Sequence, residues 1–85
     1  MKVLIPTALY SYTRQNWVEA NGGTVADVLA DLDQRYPGIR FRMIDEQGGI
    51  RRHIRFFYNN EMVQELSQAL RVDGELYIVQ ALSGG

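Results

Sequence analysis

Residues 24–36 hold the stretch that most limits which layers this chain can build. Val25, Val28, Leu29, Leu32 and Tyr36 recur at i, i+3, i+4, i+7 and i+11, the spacing of a helix with one apolar face. Thr24 is placed to cap that helix. Asp27, three residues on, puts negative charge at the positive end of the helix dipole, and Pro37-Gly38 stops the run. The segments on either side read mainly as strand or turn. A lone amphipathic helix must bury its stripe, and the surface on offer is one face of a sheet.

The flanking segments supply that sheet. Residues 2–8 are expected as a strand with Val3 and Ile5 on one face and Lys2 and Leu4 on the other, although Pro6 has no N–H to donate there. Residues 10–13 suit a turn. Residues 14–20 read as a second strand with Val18 and Ala20 inward and Trp17 and Glu19 outward, broken by Asn21-Gly22-Gly23. Residues 39–53 form a long excursion around Gly48-Gly49, with Ile39, Phe41, Met43 and Ile44 apolar enough to dock part of it on the core. Alternation returns at Ile54, Phe56 and Tyr58, expected inward, with Arg55 and Phe57 outward. Asn59-Asn60 is a hairpin turn signal, because asparagine tolerates positive φ. Residues 61–63 then read as a short return strand, residues 64–70 as either a helical turn or a loop, and Asp73-Gly74 as a turn. Residues 75–81 form the last strand, with Leu76 and Ile78 inward.

This order predicts an α+β fold of β-grasp (ubiquitin-like) type. It has a mixed four- to five-stranded sheet with one main helix packed on one face. The last strand is expected to run parallel to the first in the middle of the sheet. Residues 1–82 are expected as the β-grasp domain and residues 83–85 as a flexible C-terminal diglycine tail.

Composition narrows the function classes. At 85 residues and 46% apolar content the chain is one small domain, able to bury roughly 60–65% of its unfolded surface. It has no cysteine, so disulfides, thiolate zinc sites and a thiol nucleophile are excluded. No apolar run approaches the roughly 20 residues of a membrane span, and the apolar N-terminal run is too short for a signal peptide. A cytoplasmic protein without a membrane partner is the expectation. A net charge of −1 offers no global field for nucleic acid. The basic residues are nevertheless unusual in kind: eight arginines and one lysine, Lys2. Arg40, Arg42, Arg51, Arg52 and Arg55 crowd the middle of the chain. Asp45 and Glu46 interrupt them without a pattern of stacking aromatics, so a solvated or partner-facing surface is read there, with no nucleic acid partner.

Catalytic constellations are scarce. His53 is the only histidine and stands apart from any serine or cysteine motif. Asp31 and Asp33 are two apart on the helix and point to different sides. Nothing places Glu61 and Glu65 as a catalytic pair, and no metal motif or phosphate-binding loop is present. No catalytic residue and no bound cofactor is assigned, and the chain is read as a non-enzyme. Two features remain. Trp17 and Phe57 face outward, either as a partner-binding patch or as a surface packed by the 39–53 excursion. The sequence closes on Leu82-Ser83-Gly84-Gly85, either an ordinary frayed end or a carboxylate that a partner's narrow channel can admit because glycine has no Cβ.

The chain resembles the ubiquitin-like sulfur carriers of the MoaD/ThiS group over essentially its whole length. The resemblance rests on Thr24-Val25-Ala26-Asp27-Val28-Leu29 at the helix start and Phe57-Tyr58-Asn59-Asn60-Glu61 at the hairpin. Asp73-Gly74-Glu75-Leu76-Tyr77-Ile78 before the last strand and the closing Gly84-Gly85 complete it. The 39–53 excursion and Tyr36-Pro37-Gly38-Ile39 look more like the CysO-type branch than the compact molybdopterin-synthase subunit. The resemblance implies that Gly85 is adenylated by a ubiquitin-activator-like adenylyltransferase/sulfurtransferase that uses ATP. It implies that the resulting C-terminal 1-thioglycine, a thiocarboxylate, donates sulfide to a biosynthetic enzyme of cysteine-synthase-like or related type. By position Gly85 carries the sulfur, Gly84 gives access, and Leu82 and Ser83 contact the partner enzymes. Alternatives with the same fold are a protein modifier joined through Gly85 to target lysines and the small subunit of molybdopterin synthase.

Overall fold

The structure, a computed structural model, describes residues 1–71 and 73–81. Among the described residues nine elements follow in order: β1 (Lys2–Leu4), a 3-10 turn (Thr7–Leu9), α1 (Tyr10–Thr13), β2 (Trp17–Glu19), α2 (Val25–Arg35), α3 (Ile39–Met43), β3 (Ile54–Tyr58), β4 (Glu61–Met62) and β5 (Glu75–Gln80). The strands form one sheet in the order β2-β1-β5-β3-β4. β5 lies in the middle, parallel to β1 and antiparallel to β3, as the β-grasp reading expects.

The helix and inward-facing strand positions agree with the pattern. Thr24 Oγ1 accepts the Asp27 N–H at 3.1 Å, and Val25, Val28, Leu29 and Leu32 are completely buried. They meet Val3, Val18, Ala20, Ile54, Phe56, Tyr58, Leu76 and Ile78 from the sheet in one core. Asn59 and Asn60 take φ of 53° and 66°, the paired left-handed geometry of a tight hairpin. Residues 64–70 are a loop with a specific use. The carbonyls of Leu66 and Gln68 accept the N–H groups of Ala26 and Val25, two donors of the first helical turn that have no partner within α2.

Four readings are corrected. The strand expected over residues 2–8 ends at Leu4. Pro6 precedes the 3-10 turn, and Leu9 turns back into the core at 1% exposure. The turn expected at residues 10–13 is α1, closed by Arg14 at φ 59°. The second strand is three residues long rather than seven, although the facing is as expected: Val18, and Ala20 just beyond the strand, are buried and Trp17 and Glu19 exposed. The excursion opens with α3, and Phe41 is not docked but 58% exposed. Ile39 and Met43 are i and i+4 and face the core together, which turns Phe41 outward. Asp33 Oδ1 accepts the N–H groups of Gly38 and Arg40 at 3.2 and 3.1 Å, and so ties α2 to the start of α3.

Candidate functional site

Two surfaces involve β5, one across its middle and one at its end. The register of the sheet sets the first. Trp17 lies opposite Leu4, Leu4 opposite Tyr77, Tyr77 opposite Phe57, and Phe57 opposite Met62. One side chain from each of the five strands thus falls in a row on the face away from α2. Opposed positions in neighbouring strands point to the same face, so the row follows directly from the pairing. The Trp17 and Tyr77 rings meet edge to face at 5.5 Å, and Trp17, Tyr77 and Met62 remain 40%, 39% and 44% exposed. Beside the row, Glu19, Lys2 and Glu75 align in the next register position. Glu75 accepts the Tyr77 hydroxyl hydrogen at 3.2 Å, and this bond and its negative charge raise the Tyr77 phenol above its ordinary value.

The structure therefore places Trp17 and Phe57 in the same row. The 39–53 excursion sends Ile39, Met43 and Ile44 into the core beside α2 instead of lying over this face. Leu4, Tyr77 and Met62 escaped the sequence reading as site residues. The alternation of β5 already turned Tyr77 outward, but only the register shows that it joins Trp17 to Phe57.

The second surface surrounds the end of β5. β1 pairs no further than Tyr77, so Ile78, Val79 and Gln80 are held in the ladder by β3. The Ala81 N–H then donates to the His53 carbonyl at 2.7 Å. His53 thus serves the strand through its backbone, and its exposed side chain makes no hydrogen bond among the described residues. A cleft next to this point is lined by Leu9, Phe41, Arg42, Arg51, His53 and Gln80. Leu82, Ser83, Gly84 and Gly85 lie outside the described residues, and so does the expected boundary of the tail at residue 83.

The helix carboxylates have structural work. Asp31 Oδ2 accepts the Asn21 N–H and the Arg35 Nε–H, each at 2.9 Å, and these bonds hold its carboxyl below the ordinary value. Asp45 Oδ1 accepts the N–H groups of Gly49 and Gln47, which lower its carboxyl in the same way. No described helix is long and apolar enough to cross a membrane.

The family model described as "ThiS family" matches residues 3–85. The sulfur carrier protein CysO of Mycobacterium tuberculosis is 34% identical over 98% of this chain and 96% of its own. Among solved structures, the BexX/CysO complex of Amycolatopsis orientalis contains a chain 33% identical. It superposes with a TM-score of 0.90 over 99% of this chain and 98% of that one. SAMP1 from Haloferax volcanii is 26% identical with a TM-score of 0.79, covering 100% and 98% of the two chains.

Proposed function

Because the chain belongs to the ThiS family, we propose that it is a sulfur carrier protein that works as a cosubstrate and has no catalysis of its own. In this reading the Gly85 carboxylate attacks the α-phosphate of ATP in an adenylating enzyme, and pyrophosphate leaves. Sulfide then displaces AMP to give the thiocarboxylate. A second enzyme takes the sulfide for the biosynthesis of cysteine or another thio-metabolite. The single observation that carries the reading is the family match running through Gly85, beyond the central strand whose end the fold presents. The relatives named CysO support it.

The residue roles belong to the same proposal. Gly85 holds the sulfur. Gly84 lets a channel close on the backbone, and Leu82 and Ser83 contact the partner enzymes. The five-strand row with Trp17 and Phe57 is the surface on which the adenylating enzyme docks; exposed aromatics that are already packed against each other lose little entropy on binding. The test is the intact mass of the chain after incubation with its adenylating enzyme, ATP and a sulfide source. A gain corresponding to one oxygen replaced by sulfur, absent when Gly84 and Gly85 are deleted, is expected. An unchanged mass together with conjugates on lysines of other proteins would instead support the modifier reading. The likeness to SAMP1, a small archaeal modifier protein, keeps that reading in view.

A further inference from the structure

The central arginines take no part in the carrier chemistry itself. Residues 39–55 carry five arginines against Asp45 and Glu46, a net charge of +3, while the rest of the chain carries −4. The fold sets this positive segment at the end of β5. Arg42 and Arg51 line the cleft beside Gln80, Arg51 and Arg52 line the adjoining hollow, and Arg55 lies opposite Val79.

Arg51 and Arg55 are held in place by carbonyls rather than by carboxylates. Arg51 Nε donates to the Phe41 carbonyl at 2.7 Å, and its guanidinium lies 4.6 Å from the centre of the exposed Phe41 ring. Arg55 Nη1 donates to the carbonyls of Arg52 and Ile54 at 2.8 and 2.9 Å. Carbonyls fix a cation in place without cancelling its full charge. Among the described residues none of the five arginines forms an ion pair, whereas Arg35 and Arg71 each have an aspartate. Asp45 is the carboxylate facing this hollow: its Oδ1 accepts the Gly49 and Gln47 N–H groups, and the Arg51 charge adds to the lowering of its carboxyl without a close ion pair. Ordered arginines beside an exposed aromatic are the composition of a protein interface centre.

Chain length ties this surface to the tail. Residues 82–85 span at most about 14 Å beyond Ala81. Any enzyme that buries Gly85 must bring the mouth of its channel within that distance of Ala81, and therefore against these arginines.

We infer that the arginine collar around the end of β5 is a docking and steering surface for an acidic rim at the channel mouth of the enzyme that adenylates Gly85. The inference rests on the carrier reading. Opposed charge raises the encounter rate without adding a tight contact, which suits a carrier that must leave again after activation. A nucleic acid is the less fitting occupant: Asp45 and Glu46 interrupt the basic segment, and Phe41 is the single exposed large aromatic within it.

The test is ATP–pyrophosphate exchange by the chain's adenylating enzyme at about 50 and about 300 mM NaCl, where screening differs severalfold. The variants are Arg42→Gln/Arg52→Gln, whose side chains make no described hydrogen bond, and Arg71→Gln as a charge control away from the collar. The double variant is expected to lower kcat/KM about tenfold at low salt, to leave kcat unchanged and to flatten the salt dependence. Arg71→Gln is expected to match the wild type, and circular dichroism checks that both variants fold. Exchange that proceeds equally well in the double variant at both salt concentrations overturns the inference while leaving the carrier reading intact. A wild-type chain that supports no exchange overturns both. Binding of a short single-stranded DNA at physiological salt that disappears in the double variant also overturns the inference, in favour of a nucleic acid partner.

Discussion

At the scale of single residues, Gly74 shows how little room surrounds the entry to β5. A Cβ built there would stand 2.5 Å from Tyr58 Cε1 and 2.8 Å from its hydroxyl oxygen. The Tyr58 ring cannot move aside freely, because it is buried and its hydroxyl accepts the Arg71 N–H at 2.8 Å. Gly74→Ala is therefore expected to destabilise the domain by about 1–3 kcal/mol, the ordinary cost of forcing extra volume into a packed site, and urea unfolding measures it. From the sequence, Asp73-Gly74 reads as a turn. The reason glycine is required comes instead from a tyrosine sixteen positions earlier.

At the scale of elements, the segment from α3 to β3 shows why short elements elude pattern reading. Ile39, Phe41 and Met43 alternate with Arg40 and Arg42, a strand-like pattern, yet the segment is a helix. Five residues are too few for helix propensity to decide. Docking of Ile39 and Met43 in the core decides it, together with the Asp33 carboxylate that satisfies backbone donors at the start. The turn that follows depends on ionised Asp45. Because the folded carboxyl is depressed, its contribution to stability is fully present above the ordinary value of 3.8 and is lost as pH falls through the depressed one. Thermal melts of Asp45→Asn across the acid range are therefore expected to show a shallower loss of stability than the wild type. Superimposable acid limbs would count against this role. By contrast α2, eleven residues long with a cap and four fully buried apolar positions, is legible from its own pattern.

At the scale of the whole molecule, the sheet acts as a platform with a different task on each face. One face holds α2 over the core, and the other carries the row from Trp17 to Met62. Removing Trp17 or Tyr77 should leave the core intact, since neither belongs to it. Trp17→Ala and Tyr77→Ala are each expected to weaken binding to the adenylating enzyme about tenfold or more with little change in melting temperature, as measured by calorimetry. That loss should persist at high salt, unlike the loss from the arginine variants, because it removes apolar contact rather than charge.

The amino-acid pattern alone determined the helix from Val25, the inward faces of the strands, the Asn59-Asn60 hairpin and the resemblance to sulfur carriers. The first three are local, carried by periodicity or by backbone preferences within a few residues, and the resemblance is a set of such short motifs in a fixed order along the chain. Only the tertiary structure decided that Trp17, Leu4, Tyr77, Phe57 and Met62 form one row, and that arginines from α3 and the following loop lie beside the end of β5. Both depend on pairing and packing between segments tens of residues apart. A register shift of one residue would turn the row to the opposite face, and no local signal encodes that choice.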